Sequence, residues 1–198
     1  MAIVYLVRHA SHSRVHDTLV GRMPGVALSE GGQAEARELG ERLNRRRIDA
    51  IWTSPVQRAR ETAQAVSARV GAPVTVDEGL IEIDFGADWI GRRFADLSAD
   101  PRWTLWNERR GSAPTPAGDS MPKVQERITD ALERARSAHP AGGVVFVSHG
   151  DVIKAALAGV LGLSLDHHHR FEVGPASVSA VAVEEWGTKV LSINEVAA

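Results

Sequence analysis

Ile3 to Val7 is an unbroken apolar run with β-branched residues at Ile3, Val4 and Val7. Such a run reads as a strand buried on both faces, as found inside a parallel sheet with helices on either side. It ends in Arg8-His9, and open α/β sheets bind ligands just beyond the carboxyl edge of their strands. A second apolar run, Val144 to Val147, ends in Ser148-His149-Gly150 and leads into a two-sided apolar helix from Val152 to Leu161. Two buried strands therefore each deliver a histidine to a carboxyl end, where cationic or near-cationic side chains suit an anion. The plain alternative is that Arg8 and His9 begin a solvated loop.

The rest of the chain alternates strand and helix signals. A polar loop, Ser11 to Ser29, contains Gly21, Pro24, Gly25, Arg14 and Arg22. Ser29 can cap a helix with Ala36, Leu39 and Leu43 on one face, closing on a solvated Arg45-Arg46-Arg47 turn. Ala50 to Trp52 is a short strand. Beyond it, Ser54 suits an N-cap, Pro55 the first helical position and Gln57 a capping box, with Gly71 as the stop. Arg58 then falls in the first helical turn, where a cation opposes the helix dipole. Val74 to Val76 reads as a third strand.

Leu80 to Gly86 places Glu82 and Asp84 among apolar residues. The segment reads either as an edge strand with a solvated acidic face or as a half-buried carboxyl with a raised pKa. Between Ala87 and Gly118, Trp89, Phe94, Trp103 and Trp106 lie among arginines, which predicts a helical excursion followed by a loop, with the character of a lid. Asp119 or Ser120 caps a helix with Val124, Ile128, Leu132 and Ala135 inward. Val178–Val183 and Val190–Ile193 read as a last strand pair turning at Gly187. This order predicts α/β with a largely parallel sheet.

At 198 residues and 43% apolar composition the chain suits one domain, residues 1–198, with 87–118 as its insertion. A net charge of −2 gives no reason to expect nucleic acid or an anionic membrane as partner. With no cysteine there is no disulfide, thiol nucleophile or thiolate metal site. No apolar run approaches the roughly 18 residues of a spanning helix, and the N-terminus lacks a signal pattern. A cytoplasmic protein is expected; oligomeric state is not readable.

Arg8, His9, Arg58, Glu82 and His149 are the polar residues expected at strand carboxyl ends or adjoining turns. Two arginines and two histidines suit a tetrahedral phosphoryl group, whose oxygens match guanidinium forks and whose charge needs neutralising in transfer. No Gly-rich phosphate loop and no acid cluster for magnesium is present. A histidine is the remaining strong nucleophile, able to form a phosphohistidine that water later hydrolyses. A carboxyl would protonate the leaving oxygen and then activate water.

Leu6-Val7-Arg8-His9-Ala10 resembles the first motif of the histidine phosphatase superfamily, the phosphoglycerate-mutase-like proteins. Ser54-Pro55-x-x-Arg58-Ala59-x-x-Thr62-Ala63 is similar to its second motif, Leu80-x-Glu82-x-x-Phe85-Gly86 to its acid motif, and Val147-Ser148-His149-Gly150 to its last. Pro175-Ala176-Ser177-Val178 resembles a common late segment. The resemblance implies a three-layer α/β/α sandwich and a phosphatase with no cofactor and no metal. It implies His9 as the phosphorylated nucleophile, Glu82 as the acid/base, and Arg8, Arg58 and His149 as phosphate-binding residues. The implied partner is a small phosphorylated metabolite, with a phosphoprotein as a second possibility.

This chain departs from the family pattern in places. Ala10 stands for the usual Gly, and Ser11-His12 for an acidic residue followed by Ser or Thr. Val15 falls near the usual phosphate-contacting Asn, whose contact passes to one of Ser11, His12, Ser13 or Arg14. The stretch from Gly25 to Leu28 is shorter than the common pattern, and Ala87-Asp88-Trp89 holds one extra residue. Asp84 is a rival proton donor.

Three other functions compete. A phosphomutase is disfavoured because the Glu82–His149 interval, 149 − 82 = 67 residues, is short for the insertion that shields a phosphoenzyme from water. Asp151 also stands where the mutases have Asn. A catalytically silent phosphate-binding module conflicts with the intact five-residue set. A metal site at His167-His168-His169 conflicts with the rarity of sequence neighbours converging on one ion; these residues, with His16 and His139, read as loop or surface. Arg14, Arg22 and Arg102 are candidates for a second anionic group.

Overall fold

The structure, a computed structural model, describes residues 1–14 and 17–196. Val15 and His16 lie outside the described residues. Six strands form one sheet: β1 (Ala2–Arg8), β2 (Ala50–Thr53), β3 (Val74–Val76), β4 (Gly143–Ser148), β5 (Val178–Glu184) and β6 (Gly187–Glu195). Their order is β3-β2-β4-β1-β5-β6. The pairs β2–β3, β2–β4 and β1–β4 are parallel, and β5 runs antiparallel to both β1 and β6. The largely parallel sheet is thus observed.

Both faces are covered. On β4, Val144 and Phe146 enter one apolar cluster while Val145 and Val147 enter the other, as a period of two requires. One cluster is closed by α1 (Glu30–Leu43) and α2 (Gln57–Val70) through Leu39, Leu43, Ala63 and Val66. The other is closed by α5 (Met121–Ala138) and α6 (Gly150–Leu161) through Val124, Ile128, Ile153 and Leu157. The result is a three-layer α/β/α sandwich. The excursion carries two short helices, α3 (Phe94–Leu97) and α4 (Pro101–Glu108). Trp89 and Trp106 are fully buried in the α5–α6 cluster, so the excursion shares that core. Among the described residues no helix is long and apolar enough to cross a membrane.

Several local expectations need correction. Leu80 to Gly86 is not an edge strand: a 3-10 turn, Glu78–Leu80, is followed by irregular backbone. Leu80, Ile83 and Phe85 are all buried, a spacing of three and two that no single strand face supplies. Helix α1 stops at Leu43, so Arg45–Arg47 follow it; Arg46 pairs with Glu195 and lies over the Tyr5 ring. Helix α2 starts at Gln57 with Val56 as its cap residue and no side-chain cap; Ser54 Oγ accepts the Val56 amide at 3.2 Å, ahead of the helix. Ser120 begins α5 without a side-chain cap. Glu185 and Trp186 form the last hairpin turn, and Gly187, at φ 144°, opens β6. Ser29 does cap α1, accepting from the Gly32 amide.

Candidate active site

The strand order explains how distant segments meet. Parallel pairing sets Arg8 beside Ser148, so the next residues, His9 and His149, leave adjacent strand ends together. Their ring centroids are 5.2 Å apart. On the other side of β4, β2 pairs Thr53 with Val147, and the Ser54 amide donates to the Val147 carbonyl at 2.9 Å. Ser54 therefore stands beside His149, and α2 projects Arg58 between the two histidines. All of His9, Ser54, Arg58 and His149 are buried.

Hydrogen bonding fixes the tautomers. Arginine can only donate. Arg58 Nε donates to His9 Nε2 at 3.0 Å, so that nitrogen carries the lone pair, and His9 Nδ1–H donates to the Ala10 carbonyl at 2.9 Å. Arg58 Nη2 donates to the Gly21 carbonyl at 2.8 Å and to His149 Nδ1 at 3.1 Å. His149 Nε2–H then donates to Ser54 Oγ at 2.8 Å. Desolvation, and then the Arg58 guanidinium, hold both histidines well below the usual imidazole range. Both rings are neutral near pH 7. Thr62, one helical turn after Arg58, accepts the Ala10 amide at 3.0 Å and donates to the Arg58 carbonyl.

The guanidiniums have spare capacity. Burial lowers the pKa of Arg58 to about 10 and also lowers that of Arg8. Arg8 Nη1 donates to the Val173 carbonyl at 2.8 Å. Arg8 Nε and Arg58 Nη1 are buried and have no partner among the described residues. Unpaired buried N–H groups are costly, and an anion's oxygens would satisfy them.

Glu82 sits at the edge of this group. Its carboxyl is buried, and desolvation, followed by repulsion from Asp151, pushes it up to about 7. Oε1 accepts the Ile83 amide at 3.0 Å, and Oε2 lies 3.7 Å from His149 Nδ1, which carries no proton to share. A carboxyl balanced near neutrality can both give and take a proton. Asp84 is turned away: it accepts the Gly86 amide and faces Arg22.

A cavity of about 410 Å³ opens over these residues, and Arg8, His9, Arg58 and Glu82 line it. All five expected site residues are brought together. Of Ser11, His12, Ser13 and Arg14, only His12 lines the cavity, with its ring centroid 5.7 Å from that of His9. Ser11 instead donates to Glu35.

The residues expected for a second anion lie elsewhere. Arg102 pairs with Asp88 and Asp100, Arg14 is exposed beside Met23, and Arg22 braces the Glu82 segment. Arg110, Lys154 and His168 line the cavity in their place, with Phe85, Phe94 and Trp103 among the other lining residues. Arg110 is paired with Asp151, and Lys154 lies 3.8 Å from the exposed Glu172. Arg110 Nε and His168 Nδ1 have no partner among the described residues. Among these residues no group of three or more His, Asp or Glu side chains could hold a metal ion.

Sequence reasoning passed over Ser54, assigning it to a helix cap. The usable signal was position: Ser54 follows β2 as His9 follows β1. Arg110, Lys154 and His168 carried no such signal, because their convergence depends on how α6 and the excursion pack.

Known proteins resemble this chain in sequence and fold. The family description "Histidine phosphatase superfamily (branch 1)" matches residues 4–196. Phosphoserine phosphatase 1 of Hydrogenobacter thermophilus is 30% identical over 199 residues, covering 98% of this chain and 92% of that protein. The solved structure of Bacillus stearothermophilus YhfR superposes with a TM-score of 0.92 at 28% identity, covering 100% of this chain and 98% of the other. A mycobacterial glucosyl-3-phosphoglycerate phosphatase superposes with a TM-score of 0.85 at 26% identity, covering 97% and 98%.

Proposed function

The chain belongs to the histidine phosphatase superfamily, branch 1, and is a phosphoric monoester hydrolase of that family; we propose that it works through a phosphohistidine on His9, with Glu82 as the acid and base. The ester's phosphoryl oxygens take the N–H groups of Arg8 and Arg58, with His149 alongside. In accepting them, the phosphoryl group draws Arg58 Nε off His9 Nε2, and that lone pair attacks phosphorus. The P–O bond to the alcohol breaks, and the Glu82 carboxyl gives its proton to the departing oxygen. The ring, now cationic, keeps its Nδ1–H on the Ala10 carbonyl, which stabilises the charge. Water then gives a proton to the Glu82 carboxylate and attacks phosphorus. The P–N bond breaks, phosphate leaves, and His9 returns neutral beside a protonated Glu82.

His12 stands in for the family's Asn as a further phosphate contact, and the 87–118 excursion acts as the lid through Phe94, Trp103 and Arg110. The substrate is a small phosphorylated metabolite whose alcohol carries a second anionic group facing Lys154, Arg110 and His168. Relatives named for phosphoserine and glucosyl-3-phosphoglycerate, esters that carry a carboxylate, support that reading.

The observation that carries the mechanism is the buried His9 whose Nε2 lone pair accepts from Arg58 Nε at 3.0 Å. The test is trapping of radiolabelled phosphate from an aryl phosphate, quenched without acid. Wild type is expected to carry label, while His9→Ala carries none and loses about 10⁴-fold or more in turnover. A His9→Ala variant as active as wild type overturns the mechanism.

A further inference from the structure

Residues 81–86 carry the proton donor, yet no strand ladder or helix fixes them. Side chains do so instead. Arg22 reaches across from the loop after β1. Its Nε donates to the Glu82 carbonyl at 2.7 Å, while Nη1 lies 3.5 Å from Asp84 Oδ2 and Nη2 3.4 Å from Asp119 Oδ2. Asp119 Oδ2 also accepts the Asp84 amide at 3.0 Å, and Thr115 Oγ1 donates to the Asp84 carbonyl at 2.6 Å. Gly21, immediately before Arg22, gives its carbonyl to Arg58 Nη2 at 2.8 Å. One dipeptide therefore joins the phosphate-facing guanidinium to the backbone of the acid. Gly21 adopts φ +44°, and a Cβ there would stand 3.0 Å from the Phe85 ring, so the dipeptide presses closely on the segment it braces.

We propose that Arg22 is a positioning residue for proton transfer, setting the Glu82 carboxyl at the reach required from an ester oxygen seated among Arg8, Arg58 and His9. The proposal rests on the hydrolase reading above and adds a residue that acts through Glu82 without touching the substrate. Arg8, His9 and Arg58 hang from β1 and α2, which stay in place when Arg22 is cut. Only the acid is released. Proton transfer tolerates little displacement, and misplacement by about 1 Å costs on the order of a hundredfold. In the transfer to His9, which kcat/KM reports, that loss falls on esters whose alcohol needs a proton to leave and not on those whose anion leaves unaided; hydrolysis of the phosphohistidine, which also uses Glu82, is the same step for both.

The experiment compares phenyl phosphate with 2,4-dinitrophenyl phosphate in wild type, Arg22→Met and Arg22→Lys. Arg22→Met is expected to lose about a hundredfold in kcat/KM on phenyl phosphate and less than about threefold in kcat/KM on the dinitrophenyl ester, whose kcat falls instead through the slower hydrolysis of the phosphohistidine. Arg22→Lys keeps the cation facing Asp84 and Asp119 but loses the fork to the Glu82 carbonyl. It is expected to fold as wild type does and to show an intermediate loss in kcat/KM, again confined to phenyl phosphate. Equal losses of kcat/KM on the two esters, or no loss in either variant, overturn the positioning role. A wild type inactive on both esters overturns the hydrolase reading and this proposal together.

Discussion

His9 and Glu82 face the same cavity, but the molecule holds them by different means. His9 follows a strand buried on both faces, and its position is set by the pairing of β1 with β4 and β5. Glu82 lies on irregular backbone braced by Arg22, Asp119, Thr115 and Ser148, whose hydroxyl donates to the Leu80 carbonyl at 2.7 Å. The strand-held half must seat a phosphoryl group with little movement, and a ladder of backbone hydrogen bonds provides that stiffness. In the proposed mechanism the loop-held half gives a proton and later takes one back, which calls for a pKa near neutrality more than for a rigid ladder. Burial beside Asp151 supplies that pKa without a change of fold.

Replacing the acid should separate the halves most sharply. Glu82→Gln keeps the shape and the Ile83 bond but cannot give a proton. It is expected to lose about 10²–10⁴-fold in kcat/KM on phenyl phosphate and far less in kcat/KM on the dinitrophenyl ester, whose transfer to His9 needs no acid. Wild-type hydrolysis of phenyl phosphate should fall on the alkaline side, as Glu82 ionises near 7, whereas the acid limb lies well below 6.5, because His9 takes up a proton only there. Glu82→Gln should lose the alkaline limb. An unchanged limb would assign it to another group.

The same division governs what can be read from the chain alone. The strand-held half is legible because an apolar run fixes where a strand ends, and Arg8-His9 and His149 sit at those ends. Glu82 is legible through its motif, but its setting is not. Alternation suggests a strand, and the actual path follows burial of Leu80, Ile83 and Phe85 against the tryptophans of the excursion. Arg22 and Asp119, 97 positions apart, meet only in three dimensions. Helix-start rules misassigned Ser54 because its hydroxyl oxygen, which accepts the Val56 amide just before α2, also serves His149 from a neighbouring strand end.

A smaller effect is expected at Ser54, which tests the stiffness of the strand-held half. Ser54→Ala leaves His149 Nε2 buried without its acceptor, at a cost of about 1–3 kcal/mol in stability. With the ring less well held, phosphoryl binding should weaken by about tenfold in kcat/KM, by analogy with the loss of an outer partner at a metal-bound histidine. The drop should be the same for both aryl esters, because leaving-group protonation is untouched. A loss confined to phenyl phosphate would move Ser54 to the acid's half of the site.

The last effect concerns folding alone and leaves turnover untouched. Glu82 has a pKa of about 7 in the fold against 4.5 for an unperturbed carboxyl. Between those values the folded chain holds a proton that the unfolded chain has released, so stability falls as pH rises through this window and levels off above it. A tenfold difference in proton affinity corresponds to about 1.4 kcal/mol, which gives on the order of 3 kcal/mol across the window. The two buried histidines act in the opposite sense: held neutral, they cost stability as pH drops below 6.5. They are common to wild type and Glu82→Gln, so the difference between the two proteins isolates the carboxyl. Urea unfolding should show Glu82→Gln gaining on wild type from pH 5 to pH 8 and matching it near pH 4. A difference that stays flat over that range would mean that the loop-held half relaxes to let water reach Glu82, leaving the stiffness of the site with its strands alone.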